Sequence, residues 1–330
     1  MTQIFGSLLQ RRHHIGDGSA IGAARRDAQR LAGELQLDET VGGRLGVIVT
    51  ELATNVLRHG GGGDLLLQAL PAAAGNAVEV IAIDRGPGMA DLQKCLRDGY
   101  SSGGTPGTGL GAVRRLAAEF DLESHPGKGT VVMARVGNSG TARFGAICVA
   151  RDGESACGDT WRLAQDGDSR SLIVIDGLGH GPAAAAAAEL AAGVFLRHPF
   201  ESPHSQIEQA HVALSGSRGA AVACAAWTVA HTLRYAGIGN IAGRLSATEG
   251  SRGLLSHNGT LGFQMRRVHQ LEYPLSDANL LIMHSDGLSA RWELNDHPGL
   301  RQRHPAVVAG TLYRDHMRGK DDATVVVVAL

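Results

Sequence analysis

Glu51-Leu-Ala-Thr-Asn55 lies in a predicted helix, where its acid and its amide stand one turn apart on the same face. Two glycine-rich motifs follow it in the 330-residue chain, Asp84-Arg-Gly-Pro-Gly88 and Gly107-Thr-Gly-Leu-Gly111. The amide oxygen suits Mg²⁺, which prefers oxygen ligands and bridges to phosphates, and the acid would orient or deprotonate an attacking hydroxyl. The second motif ends a strand with a carboxylate that can accept a hydrogen bond from an adenine amino group. The third motif opens a helix whose free N–H groups suit a phosphate. In this order, the three motifs predict an ATP pocket.

Each motif also has an ordinary structural explanation when it is taken alone: a solvated helix face, a turn after a strand, and a glycine loop. The sequence around the motifs predicts helices over residues 21–35, 38–59 and 109–120, the second with Asp38 as its N-cap. It predicts strands over residues 65–70, 78–83 and 130–136. The simplest arrangement of these elements is an α/β sandwich, in which the helices lie on one side of a mixed sheet.

Together the three motifs resemble the GHKL family of ATP-binding domains, and within it the small serine kinases of bacterial anti-sigma and stressosome switches, of the RsbT kind. The resemblance covers roughly residues 12–136 and includes Asp98-Gly-Tyr-Ser101 and Gly129-Thr130. It implies that Glu51 is catalytic and that Asn55 holds Mg²⁺ with ATP. The other ATP-binding residues that it implies are Asp84, Gly86, Gly88, Gly107, Gly109, Gly111 and Thr130. The short segment between the glycine motifs and the lack of a phosphoacceptor-histidine helix argue against a sensor histidine kinase.

The second half of the chain places carboxylates at or beside four predicted strand ends. They lie in Gly158-Asp159, Asp176-Gly-Leu-Gly-His-Gly181, Ser285-Asp286-Gly287 and Asp321-Asp322. Carboxylates that come close together repel one another unless cations intervene, so a cluster of them implies bound metal. Two Mg²⁺ or Mn²⁺ ions about 3.5–4 Å apart would clamp a phosphate and lower the pKa of a bridging water. Taken singly, each aspartate is also an ordinary turn residue or helix cap.

In this order, the four motifs resemble the metal-dependent serine/threonine phosphatases of the PPM family, specifically the SpoIIE type and its compact RsbX subgroup, over about residues 142–330. Gly237-Ile-Gly-Asn240 and Asn258-Gly-Thr-Leu-Gly262 fit the same pattern. The resemblance implies these metal ligands: Asp159, Asp176, the Gly177 carbonyl, Asp286 and Asp321. The roles of Asp322 in the metal site and of His180 in proton transfer stay open, and Asn240 is expected to be an ordinary fold residue.

The expected fold class is α/β (α+β), with a GHKL α/β sandwich over residues 1–137 followed by a PPM-type αββα sandwich over residues 142–330. The net charge of −1 and the pI near 7.0 leave no basic excess for nucleic acid. Neither a signal peptide nor a membrane-spanning apolar run is evident, so we expect a cytoplasmic protein that binds no membrane. The cysteines form no C-x-x-C pair and are expected to be reduced thiols.

The leading hypothesis is a bifunctional switch enzyme. Its first domain would use ATP and Mg²⁺ to phosphorylate a Ser or Thr, and its second would use two Mn²⁺ or Mg²⁺ ions to remove that phosphate. By resemblance, the substrate is a STAS-domain partner of an anti-sigma-antagonist or stressosome pathway. One alternative is that the first domain only binds ATP or a partner and gates the phosphatase. Another is an ATP-driven conformational clamp, which the short segment between the glycine motifs disfavours.

Overall fold

The computed structural model describes residues 2–6, 10–70, 76–96, 109–138, 143–228, 232–248, 250–265 and 267–330. The chain divides into two compact units. The nucleotide unit, as we name it, comprises the described residues between 10 and 138 together with Gln302–Arg314. The carboxylate unit comprises residues 2–6, Arg143–Arg301 and Asp315–Leu330. The sequence-based division at residues 137 and 142 separates most of each unit, whereas residues 3–6 and 302–314 group with the unit of the opposite half.

The nucleotide unit is one antiparallel sheet with its first four helices on one face. Its strands, in the order β2-β3-β4-β6-β5 across the sheet, are β2 (Gln10–Ile15), β3 (Gly63–Leu70), β4 (Ala77–Asp84), β5 (Glu119–Ser124) and β6 (Thr130–Gly137). Its first four helices are α1 (Gly18–Glu34), α2 (Glu39–Gly60), α3 (Leu92–Cys95) and α4 (Gly109–Leu116). The apolar sides of α1, α2 and α4 pack on alternate residues of the strands to form the core.

Helix α2 carries the first motif, and local signals define both of its ends. The Asp38 side chain accepts a hydrogen bond of 2.9 Å from the Val41 N–H, which confirms the predicted N-cap. Gly61 follows the helix in the left-handed conformation at a φ of 71°, which favours glycine. Because both ends are fixed, the faces that the helix presents to the sheet and to the site are fixed as well.

Two predictions about this unit were wrong. The helix predicted over residues 109–120 ends at Leu116, and Glu119 begins β5. Phe120 belongs to a strand because the segment pairs with β6 along its whole length, and that pairing overrides the helical pattern read from the sequence. The sheet is wholly antiparallel instead of mixed, since every neighbouring pair of its strands runs in opposite directions.

The face of this sheet opposite α1 and α2 is buried as well. Leu66, Ile81 and Met133 stand side by side across three strands, and each is 1% exposed. Helix α7 (Pro305–His316) contributes to this burial, since its Gly310 packs against Val131 and Ile81. The segment that follows the carboxylate motif at 285–287 therefore supplies a layer of the nucleotide unit.

Three polar contacts fix α7 and the residue before it to the same sheet. The His304 N–H donates to Asp121 Oδ2 at 2.6 Å, and the Tyr313 hydroxyl donates to Asp64 Oδ2 at 3.3 Å. Arg314, which is buried, donates to Glu123 Oε2 at 3.2 Å. Charged groups are rarely buried without such partners. These contacts therefore fix how α7 packs on the sheet.

The carboxylate unit contains two antiparallel sheets. The first has the strand order β1-β8-β9-β10-β11-β14 and the second β13-β12-β15-β16-β7. The strands are β1 (Gln3–Gly6), β7 (Phe144–Val149), β8 (Asp159–Asp166), β9 (Ser169–Gly177), β10 (Ala220–Thr228), β11 (Thr232–Ile238), β12 (Ala242–Ala247), β13 (Gly250–Leu254), β14 (Leu271–Pro274), β15 (Ala278–His284) and β16 (Ala323–Ala329). Helices α5 (Pro182–Arg197) and α6 (Pro203–Ala213) cover one face of the first sheet.

Strand β1 belongs to the carboxylate unit, although it lies at the start of the chain. It pairs antiparallel with β8 over residues 3–6. Its Phe5 is 2% exposed, with its ring centroid 4.7 Å from that of Phe144, which in turn lies 5.7 Å from the Trp161 ring. The chain has few aromatic residues, so this buried trio is a concentrated apolar contribution to the core. None of the helices that the structure describes has the length and apolar character needed to cross a bilayer.

Candidate active sites

A cavity of about 850 Å³ lies beside α2 in the nucleotide unit. Its lining brings together six of the residues predicted from the sequence: Glu51, Asn55, Asp84, Gly88, Gly109 and Thr130. A cavity of this size falls within the usual range for small-molecule sites, about 300–1,000 Å³. Motifs from α2, from the end of β4, from the start of α4 and from the start of β6 thus converge on one space.

Asp84 is held at the edge of this cavity by its own motif. Its Oδ1 accepts hydrogen bonds from the Gly86 N–H at 2.8 Å and from the Thr130 N–H at 3.2 Å. Burial raises the pKa of this carboxyl group, and the two N–H donors act to lower it. Glycine is required at Gly60, where a Cβ would lie 2.4 Å from Asp84 Cβ, and at Gly88, where φ is +67°. With Oδ1 used by the backbone, Asp84 has its second oxygen left for a ligand.

Glu51 and Asn55 project from one side of α2 and line the cavity together, as their spacing predicts. Gly109 lines the cavity at the first residue of α4, whereas Gly111 is buried within that helix. Gly86 supports Asp84 by the hydrogen bond given above. Gly107 and the stretch Asp98-Gly-Tyr-Ser101 lie outside the described residues, so their predicted parts stay predictions.

The lining also includes polar residues that sequence reasoning missed. Arg58 and His59 stand on the last turn of α2, and Asp91 and Lys94 stand at α3. The side chain of Asp91 caps α3 by accepting from the Lys94 N–H at 2.9 Å. The sequence Asp91-Leu-Gln-Lys94 could have indicated this short helix, because Asp is a favoured N-cap residue, and Lys94 follows it within one turn. Arg58 and Lys94 thus bring positive charge to the cavity lining, and Asp91 brings negative charge.

In the carboxylate unit, Asp159 and Asp176 stand directly opposite each other on β8 and β9. Burial, together with the smaller effect of the charges of Asp159, Asp286, Asp321 and Asp322, raises the pKa of Asp176 to about 9. Burial also raises the pKa of Asp159 well above its usual value. The predicted carboxylates Asp159, Asp286 and Asp321 thus lie near enough to Asp176 to repel its charge, and this repulsion adds to the effect of burial on its pKa.

Two of the surrounding carboxylates already have partners. Asp322 accepts from the Arg151 N–H through Oδ1 and from the Gly158 N–H through Oδ2, each at 2.7 Å. Asp322 thus ties the Asp159 loop to the last strand, which favours a structural role for it. The Asn240 side chain donates to Asp286 Oδ2 at 2.8 Å, so Asn240 orients a predicted ligand, a contact that the sequence did not reveal.

The oxygen chemistry of this cluster fits a divalent cation. Asp159 Oδ2 is buried and has no hydrogen-bond partner within the described ranges. A bound cation would supply the partner that this oxygen lacks. Carboxylates together with the Gly177 carbonyl form the hard donor set that Mg²⁺ and Mn²⁺ prefer. As the side chains stand, however, the described part of the chain shows no three His, Cys, Asp or Glu groups that converge on one ion position. The exact ligand set is therefore still a prediction.

The turn formed by residues 176–181, which we call the glycine turn, connects β9 with α5. His180 is partly exposed in this turn, and its Nδ1 lies 2.6 Å from Glu154 Oε1. Beside Asp159, the sulfur atoms of Cys148 and Cys157 lie 3.7 Å apart as free thiols. Neither the His180–Glu154 pair nor the proximity of the two thiols was predicted from the sequence.

Comparisons with known proteins agree with the geometry of the nucleotide unit. Residues 17–135 match the family model of the histidine kinase-like ATPase domain. The serine/threonine-protein kinase RsbT of Bacillus subtilis (strain 168) is 35% identical over 112 residues, which are 34% of this chain and 84% of that kinase. The chain belongs to the histidine kinase-like ATPase family. The matched residues include α1 and α2, the cavity and β6, and they end before α7.

Solved structures align with other parts of the chain. A chain from a study of the bacterial stressosome, described as a modular system adapted to control secondary messenger signaling, superposes with a TM-score of 0.53 and 27% identity. That alignment covers 58% of this chain and 100% of the other. A crystal structure of RsbX with magnesium aligns with a TM-score of 0.49 and 22% identity, over 56% of this chain and 93% of that one. The expected α/β fold class and the likeness to RsbT are confirmed.

Proposed function

We propose that the chain is a bifunctional switch enzyme that phosphorylates a serine or threonine of a protein partner and also removes that phosphate. The observation that carries the kinase half is the convergence of Glu51, Asn55 and Asp84 on one cavity. The observation that carries the phosphatase half is the gathering of four aspartates around Asp176. A pocket alone would support only binding, whereas an acid one turn from a Mg²⁺-binding amide supports transfer.

In the kinase reaction, the chain would act by positioning ATP and the attacking hydroxyl. Asp84 would accept from the adenine amino group through its free oxygen, and the start of α4 would face the phosphates. Asn55 would hold the Mg²⁺ that accompanies ATP, and Glu51 would orient the hydroxyl and accept its proton. Phosphoryl transfer asks for positioning and charge neutralisation more than for covalent chemistry by the protein.

In the phosphatase reaction, the predicted ligands Asp159, Asp176, Asp286 and Asp321 and the Gly177 carbonyl would hold two Mn²⁺ or Mg²⁺ ions. When bound, such ions supply a nucleophilic water at neutral pH and neutralise the phosphate. The chain itself would orient the ligands: Asn240 through Asp286, and Asp322 through the Asp159 loop. His180, paired with Glu154, stands in the same turn as Gly177 and would be available to a leaving group.

The proposed partner is a STAS-domain protein of an anti-sigma-antagonist or stressosome pathway. Three similarities support a regulatory partner of this kind. RsbT is a serine/threonine-protein kinase, and an anti-sigma F factor of Thermoanaerobacter sp. (strain X514) is 29% identical over 103 residues, 72% of its length. The third is the stressosome chain described above.

The test is a single-turnover assay with a purified STAS-domain protein, ATP labelled in the γ-phosphate, and Mg²⁺ and Mn²⁺. We expect the wild-type chain to label the partner transiently, Glu51→Ala to leave it unlabelled, and Asp286→Asn to let label accumulate. Glu39→Ala, on the first turn of the same helix, is the matched control for Glu51 and should behave as wild type.

Mass spectrometry then identifies the phosphorylated residue. The switch is supported if the residue on which phosphate accumulates with Asp286→Asn is the same residue that the wild-type chain phosphorylates and then dephosphorylates. Labelling and hydrolysis at different residues would mean that two separate functions share one chain. No labelling by a chain that binds ATP tightly would instead favour a first domain that gates the phosphatase.

A further inference from the structure

Two large apolar side chains are exposed on either side of Gly219, next to the glycine turn. Leu178 is 55% exposed and Phe263 is 64% exposed. The Leu178 N–H donates to the Gly219 carbonyl at 3.0 Å, and the Phe263 ring lies within 3.0 Å of the position that a Cβ on Gly219 would take. Single exposed apolar residues are common, but two that both neighbour Gly219 beside a candidate site call for a partner.

The position of Phe263 is fixed by its backbone. It stands in a tight turn in which the N–H groups of Phe263 and Gln264 both donate to the Thr260 carbonyl, at 3.2 and 3.0 Å. The residue before it, Gly262, donates its N–H to His211 Nδ1 at 3.0 Å, which anchors the turn to α6. Since these hydrogen bonds hold the turn, the backbone at Phe263 would lose little conformational freedom when a partner covers the ring.

Arg218 adds a positive charge to the same place. It is exposed and directly precedes Gly219, and its Nη1 lies 3.2 Å from the position of a Cβ on Gly179 in the glycine turn. Across the residues that the structure describes, no carboxylate forms an ion pair with this guanidinium. An arginine without an ion pair, next to two exposed apolar side chains in the fold, has the composition of an interaction hot spot.

We propose that Leu178, Arg218 and Phe263, here called the docking patch, bind the protein substrate next to its phosphorylated residue. The bound segment carries an apolar side chain, which covers Phe263 and Leu178, and a carboxylate, which pairs with Arg218. This inference rests on the proposed phosphatase function, because the patch borders the turn that supplies Asp176 and Gly177. It adds a substrate class: phosphorylated segments in which an apolar and an acidic residue flank the phosphoresidue.

The patch predicts a selectivity that small phosphoesters cannot show. p-Nitrophenyl phosphate reaches the carboxylate cluster but has no flanking residues, so Phe263 does not contribute to its turnover. A phosphoserine peptide with neighbouring Leu and Glu residues contacts the whole patch. Truncating a hot-spot side chain commonly costs more than 1 kcal/mol, or about tenfold in affinity at 1.4 kcal/mol.

The experiment measures kcat and KM of the full chain with Mn²⁺ on p-nitrophenyl phosphate and on three phosphoserine peptides, with Leu and Glu, Ala and Glu, or Leu and Gln as flanking residues. For Phe263→Ala we expect KM to rise about tenfold on the Leu peptides, with no change on p-nitrophenyl phosphate. For Arg218→Ala we expect the preference for Glu over Gln to disappear. Leu190→Ala, a 50% exposed residue on α5, is the matched control and should leave all four substrates unchanged.

The outcomes separate this inference from the proposed function. If the wild-type chain hydrolyses p-nitrophenyl phosphate but Phe263→Ala and Arg218→Ala keep its peptide preferences, the docking patch is wrong and the phosphatase stands. The same conclusion follows if Leu190→Ala changes the peptide KM as much as Phe263→Ala does. If the wild-type chain hydrolyses none of the four substrates with Mn²⁺ or Mg²⁺, the phosphatase assignment itself fails.

Discussion

At the scale of single residues, Asp84 shows how a motif becomes a binding group. One carboxylate oxygen is used by two backbone N–H groups, and the other is left for a ligand. Asp322 differs from Asp84, because both of its carboxylate oxygens accept hydrogen bonds from backbone N–H groups. Sequence treats Asp321 and Asp322 alike, whereas their hydrogen bonds separate them.

Asp84→Asn should abolish tight ATP binding without unfolding the domain. The asparagine oxygen can still accept from Gly86 and Thr130, but an NH₂ group then faces the adenine amino group, so two donors meet. We expect affinity to fall by about 100-fold, as for the loss of a charge-assisted hydrogen bond. Calorimetry with ATP checks the affinity, and the thermal midpoint checks the fold.

Glu51→Ala serves as the control for this loss, because it removes the proposed base but no adenine contact. It should bind ATP nearly as the wild type does. If the Asp84→Asn variant binds ATP as tightly as the wild type does, Asp84 does not contact the adenine.

The aspartate cluster makes stability depend on both pH and metal. The folded pKa of Asp176, about 9, lies above an unfolded value near 4, so the folded state holds the extra proton between these values. Stability in EDTA should therefore be greatest below about pH 4 as far as this group is concerned, and should be lost as pH rises toward 9. Excess Mn²⁺ should reverse the loss, since it binds only the folded ionised cluster.

The measurement is the thermal midpoint between pH 5 and pH 9, with EDTA or with Mn²⁺, for the wild type and for Asp176→Asn. The variant should show a flatter pH dependence in EDTA and a smaller gain from Mn²⁺. A wild-type midpoint in EDTA that rises with pH over this range would contradict the prediction.

At the scale of elements, the central sheet of the nucleotide unit is buried on both faces, and its second face contains charges. Arg135 of β6 donates to Glu79 of β4 at 2.7 Å, and the two side chains are 1% and 0% exposed. Opposite charges at this depth stabilise each other, because a buried charge that loses its close partner is costly. Arg135 Nη1 also lies 3.5 Å from Glu119 Oε1. Strand pairing places the two residues directly opposite each other.

Glu79→Ala should destabilise the protein by about 3–5 kcal/mol, because it leaves the Arg135 guanidinium buried without its closest partner. The double variant Glu79→Leu/Arg135→Met should recover most of that loss, since an apolar pair of similar volume has no charge to desolvate. Urea unfolding of the two variants and of the exposed control Glu39→Ala gives the comparison. Equal stability of the single and double variants would show that the burial of the charge is not the cause.

At the scale of the whole molecule, each unit is completed by a segment from the far end of the sequence. Phe5 of β1 joins the aromatic core of the carboxylate unit. Residues 302–314 join the nucleotide unit, where Gly310 packs on Val131 and Ile81. A cut at the apparent domain boundary, between residues 137 and 142, would therefore leave both products incomplete.

A fragment of residues 1–137 should be less soluble and less stable than the same domain in the full chain, because Leu66, Ile81 and Met133 would lose the cover that α7 contributes. A fragment of residues 142–330 should unfold at a lower temperature than one in which residues 1–6 are restored through a linker. Thermal unfolding and binding of a hydrophobic dye compare the fragments. Full solubility and an unchanged thermal midpoint of the 1–137 fragment would show that α7 is dispensable there.

The sequence by itself determined the local chemistry and the fold class. Motif order predicted that residues of α2, β4 and β6 would lie together, and they line one cavity, because these features depend on short-range spacing and on strand ends. The roles of these residues and of the aspartates stay predictions. Caps such as Asp38 and the glycine that follows α2 were readable for the same reason.

Only the tertiary structure decided the rest, because it depends on which distant segments pair. The polar strand β2 and the strand that begins at Glu119 form through hydrogen bonds to neighbouring strands, and neither shows a clear apolar alternation. The apolar sequence of α7 predicts a buried helix but cannot name the sheet that it covers. The same holds for Leu178, Arg218 and Phe263, which are brought near Gly219 by the Leu178 N–H bond to the Gly219 carbonyl and by the pairing of Ala220 with Leu261. The sequence of each segment determines which apolar surface it can bury, and the packing of distant segments determines which element covers that surface.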